Sequence, residues 1–285
     1  MSKFALIGAA GYIAPKHLKA IKEIGGELVA CTDPHDSVGV LDSYFPEASF
    51  FTEFERFDRH IEKLSREGVG IDYVSICSPN YLHDAHIRFA MRVGAHAICE
   101  KPLVIAPWNI YPLEQMSQEY DRNIYTILQL RLHPEIIKLK KEIESSKERF
   151  EVTLQYNAPR GTWYKYSWKA DYIKSGGMIT NIGIHLFDLL IYLFGNFNSF
   201  SVEYNSENTA NGQLWLPRAT VDWQLSTIGK PTRMLQINDK FVDLSSHIVD
   251  LHTESYKEIM NGNGWLPRDS RKAIELVHDL EMWNG

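Results

Sequence analysis

The first 130 or so residues alternate between short apolar runs and segments whose apolar positions recur every three or four residues. Phe4-Ala5-Leu6-Ile7 reads as a strand, and Pro15 to Ile24 as a helix stopped by Gly25-Gly26. Glu27 to Thr32 is a second strand, Ser49 to Phe51 a minor third, and Glu53 to Arg66 a charged helix. Asp72 to Cys77 is a fourth strand, with Asn80 as the cap of a helix reaching Val93. Ala95 to Cys99, a helix near Asn109 to Tyr120, and Ile124 to Leu128 complete the series. Strands alternating with helices predict an α/β fold on a doubly wound parallel sheet, which binds ligands beyond its strand C-termini.

The pattern then changes. Phe150 to Tyr156, Phe200 to Tyr204, Ala219 to Leu225 and Thr232 to Ile237 are strand-like, with a tight turn at Asn238-Asp239. Asp250 to Met260 and Asp269 to Trp283 read as helices. Before most of these strands lies an almost wholly apolar helix, opened by Gly176-Gly177 and running to Phe194. Asn181, His185 and Asp188 stand on it at i, i+4 and i+7, so they share one face. A polar stripe on a buried helix must meet hydrogen-bond partners, a wet cavity or a ligand.

Composition narrows the function classes. The chain has 285 residues, 44% of them hydrophobic, enough for two modest domains divided here as 1–128 and 129–285. A net charge of -6 argues against a nucleic-acid surface, and Lys138-Leu139-Lys140-Lys141 reads as a solvated helix face. Cys31, Cys77 and Cys99 are an odd count without ligand-type spacing, so reduced thiols and no metal are expected. The N-terminal apolar run is short for a signal peptide, and Ile182 to Phe194 is short for a bilayer span. The expectation is a soluble, cytoplasmic protein without membrane partners.

Gly8-Ala9-Ala10-Gly11-Tyr12-Ile13-Ala14 follows the first strand and opens the first helix. It reads G-x-x-G-x-x-A, one residue longer in the loop than G-x-G-x-x-G. Glycines there let backbone N–H groups approach a pyrophosphate at the helix N-terminus. Asp33 ends the second strand 25 residues after Gly8 (33 − 8), close to the offset of about 20 at which an acid receives ribose hydroxyls. Its charge would repel a 2′-phosphate, which favours NAD over NADP.

Three more motifs occupy later strand ends and the apolar helix: Cys77-Ser78-Pro79-Asn80-Tyr81-Leu82-His83, Glu100-Lys101-Pro102, and Gly176-Gly177 with Asn181 and His185. With the glycine turn, they resemble the glucose–fructose oxidoreductase / inositol dehydrogenase (Gfo/Idh/MocA) family over nearly the whole chain. Gly8 to Pro15, Arg160-Gly161-Thr162-Trp163-Tyr164 and Ser167-Trp168-Lys169 look more narrowly like the UDP-N-acetylglucosaminuronate 3-dehydrogenases of O-antigen sugar synthesis. The resemblance implies a second α+β domain on an open, mostly antiparallel sheet, whose last helix can pack back on the first domain. It also implies NAD as cofactor and a UDP-sugar substrate, and the exposed face of that second sheet suggests a homo-oligomer, dimer or tetramer.

Cofactor contacts are implied for Gly8, Gly11, Tyr12, Ile13, Asp33, Ser78, Asn80, His83, Glu100, Lys101, Trp168 and Lys169. Substrate contacts are implied for Lys101, Arg131, Arg160, Tyr164, Lys165, Asn181, His185 and Asp188. Lys101 and His185 are the alternative general bases: burial beside a nicotinamide would lower the amine's pKa, and an imidazole titrates near 6.5 unaided, about the required range. Arg131 or Arg160 suits the uronate, since guanidinium–carboxylate pairs are bidentate. Two positions depart from the family. Asn181 stands where Asp is common, which removes an Asp–His relay, and Lys169 stands where Arg is common. His252 and Tyr256 read as packing or hydrogen-bonding residues, and His17, His35 and His86 as surface or capping residues. The same fold is open to another sugar or inositol as substrate, or to a dinucleotide-binding regulator.

Overall fold

The computed structural model describes residues 1–243 and 250–283. They form two compact units, one of Met1–Val104, Trp108–Ile127 and Asp250–Asp269, the other of Ile105–Pro107, Leu128–Val249 and Ser270–Gly285. The first carries strands β1 (Lys3–Ile7), β2 (Glu27–Thr32), β3 (Ser49–Phe51), β4 (Tyr73–Ile76), β5 (His96–Cys99) and β6 (Ile124–Thr126). All pair in parallel in the order β3-β2-β1-β4-β5-β6. Helices α1 (Ala14–Glu23), α2 (Leu41–Tyr44), α3 (Phe54–Arg66), α4 (His83–Arg92) and α5 (Ile110–Glu119) connect these strands. The strands are continuous apolar runs because both faces are covered, and Phe4, Ala5 and Leu6 are fully buried. Burial pushes all three cysteine thiols up, Cys31 to about 12, so they stay protonated.

Strand order reverses between β1 and β4, the place where open α/β sheets leave a crevice. Here the loops that follow β1 and β4 touch. A β-carbon on Gly8 (φ +92) would stand 2.6 Å from the Cys77 carbonyl carbon and 2.8 Å from the Ser78 nitrogen. Asn80 does not cap α4. Pro79 sets an extended entry (φ -57, ψ 146), Asn80–Leu82 forms a tight 3-10 turn, and α4 begins at His83 without a side-chain cap.

The second unit holds β7 (Phe150–Asn157), β8 (Ser199–Asn205), β9 (Thr209–Trp215), β10 (Ala219–Ser226), β11 (Thr232–Ile237) and β12 (Lys240–Val242). Their order is β12-β11-β7-β10-β9-β8, antiparallel except for the central β7–β10 pair. With it come α6 (Pro134–Ser145), α7 (Tyr172–Ser175) and α8 (Ile184–Phe194). The expected single helix from Gly176 is interrupted. Gly176 (φ 84) and Gly177 (φ 93) take left-handed conformations, and a π-helical turn at Ile179–Gly183 leads into α8. Tyr172–Phe194 is long and apolar enough to cross a membrane by composition, but 83% of its most apolar window is buried in the fold. It is a core helix.

Two charged groups fix this helix. Arg131 Nε and Nη2 donate to Asp188 Oδ2 and Oδ1 at 2.9 and 2.6 Å, with both residues buried. At the other end, after α9 (Leu251–Met260), α10 (Pro267–Met282) brings Glu281 to the π turn, where its Oε1 accepts the Thr180 N–H at 3.1 Å. A β-carbon on Gly177 would overlap that carboxyl group, so the glycine leaves a socket for it. Burial pushes the Glu281 pKa up to about 7, against the pull of the Thr180 and Ile179 N–H groups.

Two outcomes follow from these contacts. Gly8→Ala meets backbone rather than a flexible side chain and forces a positive φ on alanine, so stability should fall by roughly 2–4 kcal/mol in denaturant titration. Because folding raises the Glu281 pKa, the folded state binds the proton more tightly, and stability falls as pH rises from about 4.5 to about 7. Glu281→Gln removes that dependence. The Tm of wild type relative to Glu281→Gln should therefore drop between pH 5 and pH 8, by an amount equivalent to on the order of 3 kcal/mol.

Candidate active site

In the first unit the candidate cofactor residues gather at the C-terminal edge of the parallel sheet. Gly8 and Ala9 donate to the Thr32 carbonyl at 2.8 and 3.2 Å, and Gly11 closes the turn on the Gly8 carbonyl at 3.1 Å. Tyr12 is almost fully exposed, and Ile13 precedes α1 with no side-chain cap on the helix and Pro15 in its first turn. The N-terminal amides of α1 thus have no side chain competing for an anion. Asp33, buried, accepts Ala10 N–H on Oδ2 at 3.0 Å and His35 N–H on Oδ1 at 2.9 Å. An ionised carboxylate accepts about four hydrogen bonds, so capacity for ribose hydroxyls remains. The glycine turn, the uncapped helix and the acid fit a dinucleotide.

The loops after β4 and β5 are tied together. His83 Nδ1 lies 2.7 Å from the Pro102 carbonyl oxygen and Nε2 2.9 Å from that of Ser78. Burial lowers its pKa, and the two carbonyl groups oppose that shift. Ser78 Oγ and His86 Nδ1 share a hydrogen bond at 2.8 Å, and burial brings His86 down to about 4, so the ring is neutral. Asn80 is buried in its 3-10 turn.

Glu100 ends β5's run, and its side chain is buried. Oε1 takes hydrogen bonds from His17 Nε2 at 2.9 Å and His252 Nε2 at 3.0 Å, while Oε2 accepts the Lys101 backbone N–H at 3.2 Å. His17 Nδ1 meets Tyr256 Oη at 2.7 Å, which meets Ser75 Oγ at 2.6 Å. Burial works against the Glu100 charge, but the His17 and His252 donors outweigh it and hold the carboxyl well below the usual range. His17 and His86 are therefore interior residues, not surface ones, and His35 alone of that trio is exposed. Lys101, next along, is half-buried before a cis Pro102. Ligand-type atoms of His17, Glu100 and His252 lie within 4.8 Å of one another, a grouping that cysteine spacing could not foretell.

In the second unit the polar stripe divides. Asn181 and His185 are half-exposed, whereas Asp188 is consumed by Arg131. Asn181 Nδ2 donates to Tyr164 Oη at 3.3 Å, and Tyr164 donates to the Lys169 carbonyl at 3.1 Å. Arg160, exposed, has its guanidinium 6.0 Å from the Tyr164 ring centre. Lys169 Nζ lies 5.9 and 5.7 Å from the Trp163 and Trp168 rings, and burial, then Arg160, lowers its pKa. Tyr164, Lys165, Lys169 and Glu281 line one cavity of about 420 Å³. Arg131 is not in it. Sequence reading missed Glu281, which acts on Thr180 from 101 residues away, and the buried acceptors Gln129 Oε1 and Asn157 Oδ1, which have no protein donor among the described residues.

Known proteins share the family and the fold of both halves. Residues 2–125 match the GFO_IDH_MocA description "Oxidoreductase family, NAD-binding Rossmann fold", and residues 140–224 match "Oxidoreductase family, C-terminal alpha/beta domain". The WlbA (WbpB) dehydrogenase from Thermus thermophilus, crystallised with NAD and UDP-GlcNAcA, is 45% identical with a TM-score of 0.96, covering 100% of this chain and 96% of that one. The same dehydrogenase has been crystallised with NAD and alpha-ketoglutarate. Glucose-6-phosphate 3-dehydrogenase of Bacillus subtilis is 26% identical over 68% of this chain and 54% of its own length. D-glucoside 3-dehydrogenase of Escherichia coli is 26% identical over 44% and 36%. This chain thus spans only about a third to a half of those two curated relatives. With both halves matched in order and a solved relative aligned over its whole length, the chain belongs to the GFO_IDH_MocA oxidoreductase family.

Proposed function

We propose that this protein oxidises the 3-hydroxyl of UDP-N-acetyl-D-glucosaminuronate to the 3-keto sugar with NAD, a step in bacterial O-antigen sugar synthesis. The full-length likeness to a dehydrogenase crystallised with NAD and UDP-GlcNAcA carries this reading. The two curated 3-dehydrogenases support carbon 3 as the point of attack. The NAD-fitting turn at Gly8–Ala14 supports the cofactor.

When bound, the nicotinamide accepts the hydride that leaves carbon 3. The chain must take the hydroxyl proton, and Lys101 Nζ and the His185 imidazole are the groups suited to it. Asn181 is a neutral amide already holding Tyr164, so it orients rather than relays. Arg131 and Asp188 satisfy each other, which shifts uronate recognition to Arg160 and leaves the diphosphate to Lys165 and Lys169. Trp168 supports Lys169 from one side. Association of copies through the open face of the mixed sheet belongs to the same reading.

The test is absorbance at the NADH band with purified protein, NAD and UDP-GlcNAcA, beside UDP-GlcNAc, free hexoses and inositol. NADH formed with the uronate and not with the others is expected; none from any sugar would end the proposal. Addition of alpha-ketoglutarate should then consume the absorbance if a 2-oxo acid is the final hydride acceptor. Lys101→Ala and His185→Ala should each retain NAD binding and lose turnover by about 10²–10⁴. Near-normal turnover in both variants would dismiss these roles.

A further inference from the structure

We propose that His17 and His252 are positioning residues for Lys101, acting through the Glu100 carboxylate, with Tyr256 holding the far nitrogen of the His17 ring. The inference rests on the reading of Lys101 as a reacting group.

The hydrogen bonds close in only one way with neutral rings. The Glu100 carboxylate only accepts, so a neutral His17 carries its proton on Nε2; its Nδ1 then accepts from Tyr256 Oη, which in turn accepts from Ser75 Oγ. His252 Nε2 supplies a second N–H to the same oxygen. The reverse direction, with His17 Nδ1 donating to Tyr256, needs a doubly protonated ring to reach Glu100. Burial opposes that charge and lowers the His17 pKa. The Tyr256 phenol stays protonated, since burial holds its pKa well above the usual value.

The far oxygen of Glu100 holds the Lys101 backbone N–H. A backbone amide does not exchange protons with a substrate, so the chain ends in orientation, not proton transfer. Its anchors come from α1, α9 and β4, and α1 is the helix whose N-terminus follows the glycine turn. Three elements of the first unit thereby fix where Lys101 leaves the sheet. With one imidazole donor lost, a buried carboxylate is left short of partners and turns to recover them, carrying the Lys101 amide with it. A shift of about 1 Å at a reacting group is enough to cost on the order of 10²-fold in rate.

The full-length protein tests this with His17→Leu, His252→Leu, their Gln counterparts and Tyr256→Phe. Glutamine can place an amide N–H where the imidazole Nε2 stood. Wild-type NADH formation from NAD and UDP-GlcNAcA comes first, and its failure bears on the proposed function instead. Both Leu variants should lose kcat by roughly 10–100-fold with the Kd for NAD changed less than about twofold, and the Gln variants should recover most of it. Tyr256→Phe removes a single oxygen, so it keeps the question answerable if a Leu variant does not fold; its kcat should fall as well. Wild-type kcat per folded molecule in the Leu and Phe variants would overturn the inference. So would Gln variants no better than Leu, or a stoichiometric divalent ion on the purified protein by elemental analysis.

Discussion

At Gly8 two loops of the parallel sheet run so close that no side chain fits between them, and the first unit's site is assembled from that approach. The turn after β1 rests on the loop after β4. That loop is bound to the one after β5 through His83, which spans the Ser78 and Pro102 carbonyls. The β5 loop is held in turn by Glu100 to α1 and α9. Each junction is short and either backbone-limited or buried. The edge that offers a glycine turn, an acid and a lysine is therefore one connected piece rather than a set of independent loops.

Glu100, Asp188 and Glu281 are accommodated in three physically distinct ways. Glu100 keeps its charge by accepting N–H groups from the His17 and His252 imidazoles. Asp188 meets a countercharge in Arg131, an arrangement whose desolvation cost is repaid by bidentate geometry. Burial pushes Glu281 up to about 7, and the Thr180 and Ile179 N–H groups pull toward ionisation. These three carboxylates lie beside the two short segments, around Lys101 and around Asn181–Asp188, to which the proposed chemistry is assigned.

Most strands and helices were legible because burial on two faces writes continuous apolar runs and burial on one writes a helical period. β9 escaped because, of its inward positions, Ala210 and Gly212 are too small for an apolar signal and only Leu214 carries one; a larger residue than Gly212 would overlap the Ser201 carbonyl of β8. The π turn escaped because glycine pairs signal a stop without saying what fills the space, and Glu281 lies 104 residues beyond Gly177 (281 − 177). The stripe Asn181, His185 and Asp188 was visible as a pattern, but the removal of Asp188 by Arg131 is a tertiary event. His17 reads as a polar residue on an amphipathic helix; only the return of His252 and Tyr256 makes it interior.

That return has a consequence for biosynthesis. Tyr256, fully buried, packs with Phe4, and Asp250–Asp269 belongs to the same compact unit as the opening strand. A ribosome therefore releases the glycine turn early yet cannot complete the nucleus around it until some 250 further residues have emerged. The mixed-sheet unit is interleaved in the same way, since it draws on Ser270–Gly285 and Glu281 fills the socket at Gly177, so both units close only when the last helix has been made.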